Sequence, residues 1–204
     1  MKRFFLICAS FLFLLFTPLF SAEAPVRILF LGDSLTAGLG VEPQESYPSV
    51  IQDMLKEKKI THITLTNGSI SGSTSASAVS RLKWFLRAKP DILVLALGAN
   101  DGLRGLSMDE MYKNLDNAIV LARQNHIRVI LAGMEIPPNY GPDYSNAFRE
   151  VFKSLARKHD LEFIPFLLEG VAGNPSLNQA DGIHPNAKGH RVIAAHILPF
   201  ILEK

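Results

Sequence analysis

Residues 26–40 read VRILFLGDSLTAGLG. An apolar run ends abruptly in Gly32, Asp33 and Ser34. A short run without polar alternation suits a strand buried on both faces, in a sheet covered by helices. The strand is expected over Val26–Leu31. Comparable runs recur at Ile63–Thr66, Asp91–Leu97, Arg128–Met134 and Glu162–Pro165. Helix-like segments separate them: Ser46–Glu57, Ser75–Arg87, Ser107–Gln124, Tyr144–Lys158 and Ala187–Leu198. The last is expected to stop near Pro199, since proline cannot continue a helix. The alternation predicts an α/β three-layer sandwich around five mostly parallel strands. The chain has no repeat, linker or low-complexity tract, and its 204 residues suit one domain with a full core.

In such sheets a ligand site lies beyond the carboxyl ends of the strands. The segments expected there are unusual as a set. They read GDSLTAG (32–38), NGSISGST (67–74), GANDGLRG (98–105), EIPPNYG (135–141) and DGIHPNAKGH (181–190). The polar and glycine-rich stretches therefore gather at one edge of the sheet, and an active site is expected at that edge.

Ahead of the domain, residues 1–22 read MKRFFLICASFLFLLFTPLFSA. Two cations precede an apolar stretch from Phe4 to Phe16, the pattern of a secretory signal. Residues 1–24 are expected to be that signal, and 25–204 a mature periplasmic or secreted domain. The apolar stretch is shorter than the roughly 20 residues of a full span. Cys8 is the only cysteine and lies inside this segment, so a mature domain would have no disulfide and no thiolate site. The formal charge is +2. Removing residues 1–24 takes away Lys2, Arg3 and Glu23 and leaves +1. No basic run offers a footprint for nucleic acid. A small or amphiphilic substrate and a monomeric chain are the expectation.

A serine hydroxyl is a weak nucleophile until a base takes its proton, and histidine is the usual base. Of six histidines, His62, His126 and His159 sit just before strands, at the opposite edge. His184, His190 and His196 are six residues apart, which turns each about 240° around a helix from the last. They do not form an i, i+4 metal pair, and no metal site is expected. His184 precedes Pro185, which suits the first helical position, so it should sit where a loop meets a helix. Asp181 lies three residues earlier, across a bend that Gly182 permits. That places a carboxylate where it can hold an imidazole in one tautomer. Donors for an oxyanion could come from the Ser34 N–H, from Gly72 and from the Asn100 amide. Alone, Gly72 reads equally well as a turn glycine and Asn100 as a cap. Leu35, Leu103, Leu106, Ile136, Tyr140 and Ile183 are candidate walls of an acyl site. Asp33 is expected to brace its loop by hydrogen bonds. Gly32, Gly38 and Gly40 do not match a dinucleotide fingerprint, and no phosphate loop is present.

Four of these segments, GDSL at 32–35, the glycine of NGSISGST, GAND at 98–101 and DGIH at 181–184, resemble the sequence blocks of the SGNH hydrolases, or GDSL esterases. They occur in family order. The resemblance implies a flavodoxin-like sandwich, Ser34 as nucleophile, His184 as base, Asp181 as its orienting acid, and Ser34, Gly72 and Asn100 around the oxyanion. It implies no cofactor. NDGLRG, IPPNYG and QADGIHPNAKGH look like the thioesterase I / lysophospholipase L1 group and bacterial arylesterases. In that group GLRG belongs to a mobile loop, here Gly102–Ser107. Ser73 stands where an acidic residue is commoner. The expected activity is hydrolysis of an acyl ester, thioester or lysolipid. The alternatives are an O-acetyl esterase on envelope carbohydrate, or a non-catalytic lipid-binding module of the same fold.

Overall fold

A computed structural model describes residues 23–203 of the chain. The expected signal segment lies, but for its last two residues, outside the described residues. Five strands alternate with seven helices. They run β1 (Val26–Gly32), α1 (Ser34–Ala37), α2 (Tyr47–Glu57), β2 (Ile63–Asn67), α3 (Ala78–Phe85), β3 (Ile92–Ala96), α4 (Ala99–Leu103), α5 (Met108–Gln124), β4 (Arg128–Ala132), α6 (Pro142–His159), β5 (Glu162–Ile164) and α7 (Ala187–Leu202). The sheet order is β2-β1-β3-β4-β5 and every pairing is parallel. This is the doubly wound order of flavodoxin-like folds.

The period of two in each strand divides the core. Ile28, Phe30, Ile92, Val94, Ile130 and Ile164 face Tyr47, Ile51 and Leu55 of α2 and Ile193 and Ile197 of α7. Leu29, Leu31, Leu93, Leu95, Val129 and Leu131 face Leu82 of α3, Leu115 and Ile119 of α5, and Phe152 and Leu155 of α6. Both faces of the central strands are thus dry, as their unbroken apolar sequences require.

The boundaries differ from expectation in instructive places. α7 runs through Pro199 to Leu202 instead of stopping there. Proline removes one N–H, whose partner would have been the carbonyl of exposed Ala195. Buried Ile201 holds the last turn on the core, and the Arg128 guanidinium donates to Phe200 O at 3.0 Å. The start of α7 at Ala187 is the expected one, and Pro185 lies just ahead of it. The Asn186 side chain caps it, accepting from Lys188 N and Gly189 N at 3.0 and 3.2 Å. The segment expected as one helix over Ser75–Arg87 is α3 flanked by two 3-10 turns. Two short helices, α1 and α4, arise where the composition reads as loop.

Gly32 sets the geometry at the end of β1. A Cβ at this position would stand 2.2 Å from Thr36 Oγ1 and 3.1 Å from Ala96 O. The first turn of α1 therefore folds back directly over the strand end. Thr36 Oγ1 is itself held by the buried Tyr47 hydroxyl at 2.9 Å. Gly32→Ala should lower stability by roughly 1–3 kcal/mol, read as a drop in urea midpoint, because the added methyl forces Thr36 off Tyr47.

Candidate active site

The site grows from the turn after β1. Asp33 caps α1 by accepting from Leu35 N at 3.0 Å, and Ser34 is the first residue of that helix. Ser34 is half-buried at the rim, while the next two side chains turn inward. Leu35 is 4% exposed and packs in the core beside Tyr47. Expected as a wall of an acyl site, it instead points into the core and does not line the apolar cavity described below, because the helical turn rotates it about 100° from Ser34.

The loop before α7 brings the other half. His184 Nε2 lies 2.9 Å from Ser34 Oγ, across 150 residues of sequence. His184 Nδ1 lies 2.6 Å from Asp181 Oδ2. Asp181 Oδ1 accepts from the Ile183 and His184 N–H groups at 2.9 and 3.0 Å. This is a tight turn around Gly182, whose φ is +72°. These bonds hold the Asp181 carboxyl at about 2, the His184 N–H being the largest cause, then the imidazole, then the Ile183 N–H. Asp181 is 46% exposed, so its low value comes from hydrogen bonding to the charged form. A carboxylate that only accepts obliges Nδ1 to donate, which leaves Nε2 free to accept from the serine.

Gly72 and Asn100 approach from the other side. Gly72 has φ of +79°, a region that favours glycine. Among the described residues, neither the Gly72 N–H nor the Ser34 N–H donates to a protein acceptor. The Asn100 amide donates to Ser73 O at 3.0 Å and, more weakly, to Asp33 Oδ2 at 3.4 Å. Asp33 thus braces two elements at once, as its sequence position suggested. Asp101, 3% exposed, accepts from Ser75 N at 2.8 Å and meets Ser75 Oγ at 2.6 Å. Asn114 donates to the same hydroxyl at 3.1 Å. Arg104 Nη2 donates to Gly72 O at 3.1 Å and to Asn100 Oδ1 at 3.4 Å. Sequence reasoning passed over Asp101 and Arg104 as site residues. Their adjacency to Asn100 was the available signal.

A largely apolar cavity of about 490 Å³ opens beside this cluster. Leu103, Ile136 and Ile183 line it, as expected, with Met134, Phe166 and Leu168 behind them. Leu106 and Tyr140 do not line it. Leu106 is exposed beyond Gly105, and the Tyr140 hydroxyl donates to Leu103 O at 3.0 Å while its ring stacks on Tyr144. Tyr140 supports a wall from outside. Met134 ends one expected strand, and Phe166 and Leu168 follow another; only the sheet order shows that they converge.

The remaining histidines are elsewhere. His62 pairs with Glu23 at 2.8 Å and His159 with Asp116 at 2.6 Å, away from the site. His190 is buried against Tyr47, accepts from Tyr47 N at 3.2 Å, and is pushed down to about 4 by burial. Among the described residues no three His, Cys, Asp or Glu side chains converge to hold a metal ion. No helix there is long and apolar enough to cross a membrane.

Burial pushes the Asp33 carboxyl up to about 6, against the Leu35 N–H, the His184 charge and the Asn100 amide. The folded state therefore holds this proton more tightly than the unfolded chain does. Between about pH 4 and pH 6 the unfolded chain releases it first, so stability falls as pH rises through that window. Above it the loss is constant, about 3 kcal/mol at most. Asp33→Asn keeps an oxygen for the Leu35 N–H and removes the titration. Urea midpoints should show the wild type losing stability relative to Asp33→Asn from pH 4 to 6, with a constant gap above. Parallel curves would contradict it.

Residues 30–192 match the GDSL-like lipase/acylhydrolase family. The chain is 39% identical over 163 residues to an esterase, TesA, of Pseudomonas aeruginosa, covering 79% of this chain and 81% of that one. It is 34% identical over 185 residues to thioesterase 1/protease 1/lysophospholipase L1 of Escherichia coli, covering 90% and 86%. The crystal structure of a psychrotrophic esterase, EstA, from Pseudoalteromonas, inhibited by monoethylphosphonate, superposes with a TM-score of 0.82. That pair is 34% identical and covers 86% of this chain and 96% of the other. With the match spanning most of the chain, from the turn that bears Ser34 to the helix that follows His184, the protein belongs to the GDSL-like lipase/acylhydrolase family of carboxylic ester hydrolases.

Proposed function

We propose that the protein is a serine esterase that cleaves acyl esters or thioesters through Ser34, His184 and Asp181, by way of an acyl-enzyme. The observation that carries this is the unbroken hydrogen-bond chain Asp181 Oδ2–His184 Nδ1 and His184 Nε2–Ser34 Oγ. A serine held this way can lose its proton to the imidazole as it attacks an acyl carbonyl.

The steps follow from the residues. Ser34 Oγ bonds to the carbonyl carbon while its proton moves to His184 Nε2. The negative charge gathers on the former carbonyl oxygen. The N–H groups of Ser34 and Gly72, which have no protein acceptor among the described residues, are the proposed donors for it. The Asn100 amide joins them by giving up its long contact with Asp33. The imidazolium, steadied by ionised Asp181, protonates the departing alcohol or thiol. Water then attacks the acyl-enzyme with the same histidine as base. No step requires a metal or an organic cofactor.

The apolar cavity supports an acyl chain longer than acetyl, with Leu103, Ile136 and Ile183 at its mouth. Each methylene that enters it discriminates by only about 1–3 kcal/mol, so a graded chain-length preference follows. The named activities of the two relatives support both oxygen and sulfur leaving groups. The two cations and apolar stretch before residue 24 support export, with residues 25–204 acting as a monomer in the periplasm or outside the cell.

Ser34→Ala should reduce hydrolysis of 4-nitrophenyl acyl esters by about a thousand-fold or more, and equal rates would sink the assignment. Asp181→Asn keeps an oxygen for the two backbone donors but turns an N–H₂ towards Nδ1. It should lower kcat by roughly 10²–10⁴ while leaving the protein folded. Asp181 stays ionised throughout the working range.

A further inference from the structure

Beside the Ser34 N–H, two separate chain segments supply proposed oxyanion donors, and they follow different strands. Gly72 lies on the loop after β2, Asn100 on α4 after β3, and β1 runs between those strands. Nothing in the sheet itself fixes one relative to the other. The fixing is done above the sheet: Asn100 itself donates to Ser73 O at 3.0 Å, and two further contacts lie on either side of that bond. Inside, the Asp101 carboxylate grips Ser75 through its N–H and its hydroxyl. Outside, the exposed Arg104 places a single nitrogen, Nη2, between Gly72 O and Asn100 Oδ1.

We propose that Arg104 is a positioning residue for this reaction: its guanidinium bridges Gly72 O and Asn100 Oδ1 and so sets the spacing and aim of the two oxyanion donors. This rests on the serine esterase reading above. The chemistry of each bond argues for it. Nη2 carries two hydrogens, one for each acceptor, and a guanidinium keeps its charge at any working pH. Drawing on Gly72 O orients the glycine in a conformation with no side chain to hold it. Drawing on Asn100 Oδ1 leaves Nδ2 as the end that faces Ser73 O and Asp33. A shift of about 1 Å in a reacting geometry can cost about a hundred-fold in rate, so a bridge of this kind matters more to kcat than to fold. The buried Asp101–Ser75–Asn114 bonds keep the loop attached when the bridge is removed. Arg104 does not itself line the cavity, and its side chain hydrogen-bonds Gly72 and Asn100 and neither Ser34 nor His184, so it acts through those two partners.

The test compares wild type, Arg104→Ala, Arg104→Met and Arg104→Lys on a neutral 4-nitrophenyl acyl ester. Arg104→Ala and Arg104→Met should lower kcat by roughly 10- to 100-fold with KM within about three-fold. Arg104→Lys, which can still reach one acceptor with a charge, should fall between them and wild type. An alkyl boronic acid, whose tetrahedral adduct on serine puts an oxygen where the oxyanion forms, should weaken in parallel with kcat. Inhibition by the product fatty acid, which reports on the cavity, should not change. Circular dichroism and the thermal midpoint identify any variant that has lost its fold. The Met and Lys variants then decide the matter if Ala does not fold.

A kcat within two-fold of wild type in a folded variant would overturn the proposal. So would a loss confined to KM, which would make Arg104 a substrate contact. Labelling by a fluorophosphonate separates this from the underlying reading. If wild type reacts at Ser34 and Arg104→Ala reacts as fast, only the bridge is wrong. If wild type is not labelled and has no esterase activity, the serine esterase reading falls and takes the bridge with it.

Discussion

β1 has a neighbour on each side and a helix layer on each face, so the chain leaving Gly32 can turn only at the carboxyl edge. There it must turn at once, because Thr36 stands over the strand end and leaves no room for a side chain at position 32. That steric constraint makes α1 start at Ser34. It exposes the Ser34 hydroxyl at the rim and sends Leu35 and Thr36 into the core. The parallel sheet then delivers every other polar loop to the same edge. The site is a consequence of where the strands end, and Gly32 is where that consequence is tightest.

Two carboxylates near Ser34 behave in opposite ways for reasons visible in their surroundings. Asp181 is half in solvent and accepts two backbone N–H groups and an imidazole, so it is ionised at any working pH. Asp33 is buried, and desolvation outweighs its hydrogen bonds. The sequence places Asp33 beside the serine and Asp181 far from it, yet the distant residue is the one aligned with His184. Position along the chain says little about electrostatic role. Hydrogen-bond geometry and access to water decide it.

The site also has sides. The donors Gly72 and Asn100 belong to the loops after β2 and β3. The cavity is walled by loops after β3, β4 and β5. On the proposed reading, an acyl chain in the cavity points towards β5, with Ser34 between the cavity and the two proposed donors. This polarity follows from the strand order, in which β1 separates β2 from β3.

Much of this was legible in the amino-acid order. Unbroken apolar runs such as ILFL and ILVLAL mark strands buried on both faces, and their alternation with helical segments implies the parallel sandwich. Ser34, Asp181, His184 and Asn100 were legible as candidates because each stands in a short polar motif past a strand. Their chemistry is local: a glycine that permits a turn, a carboxylate three residues before an imidazole. What the sequence could not decide was everything that depends on distance across the fold. The run through Pro199 depends on Ile201 being buried and on Arg128 reaching Phe200. The inward turn of Leu35 depends on the packing of α1 against Tyr47. The cavity is formed by Met134, Phe166 and Leu168, residues from two strand ends that nothing in their spacing joins. The bridge from Arg104 to Gly72 spans 32 residues and two strands. Local motifs specify which groups can react. Only the tertiary structure specifies which groups meet, because contact is set by strand order and packing, and neither can be read from a residue's neighbours in sequence.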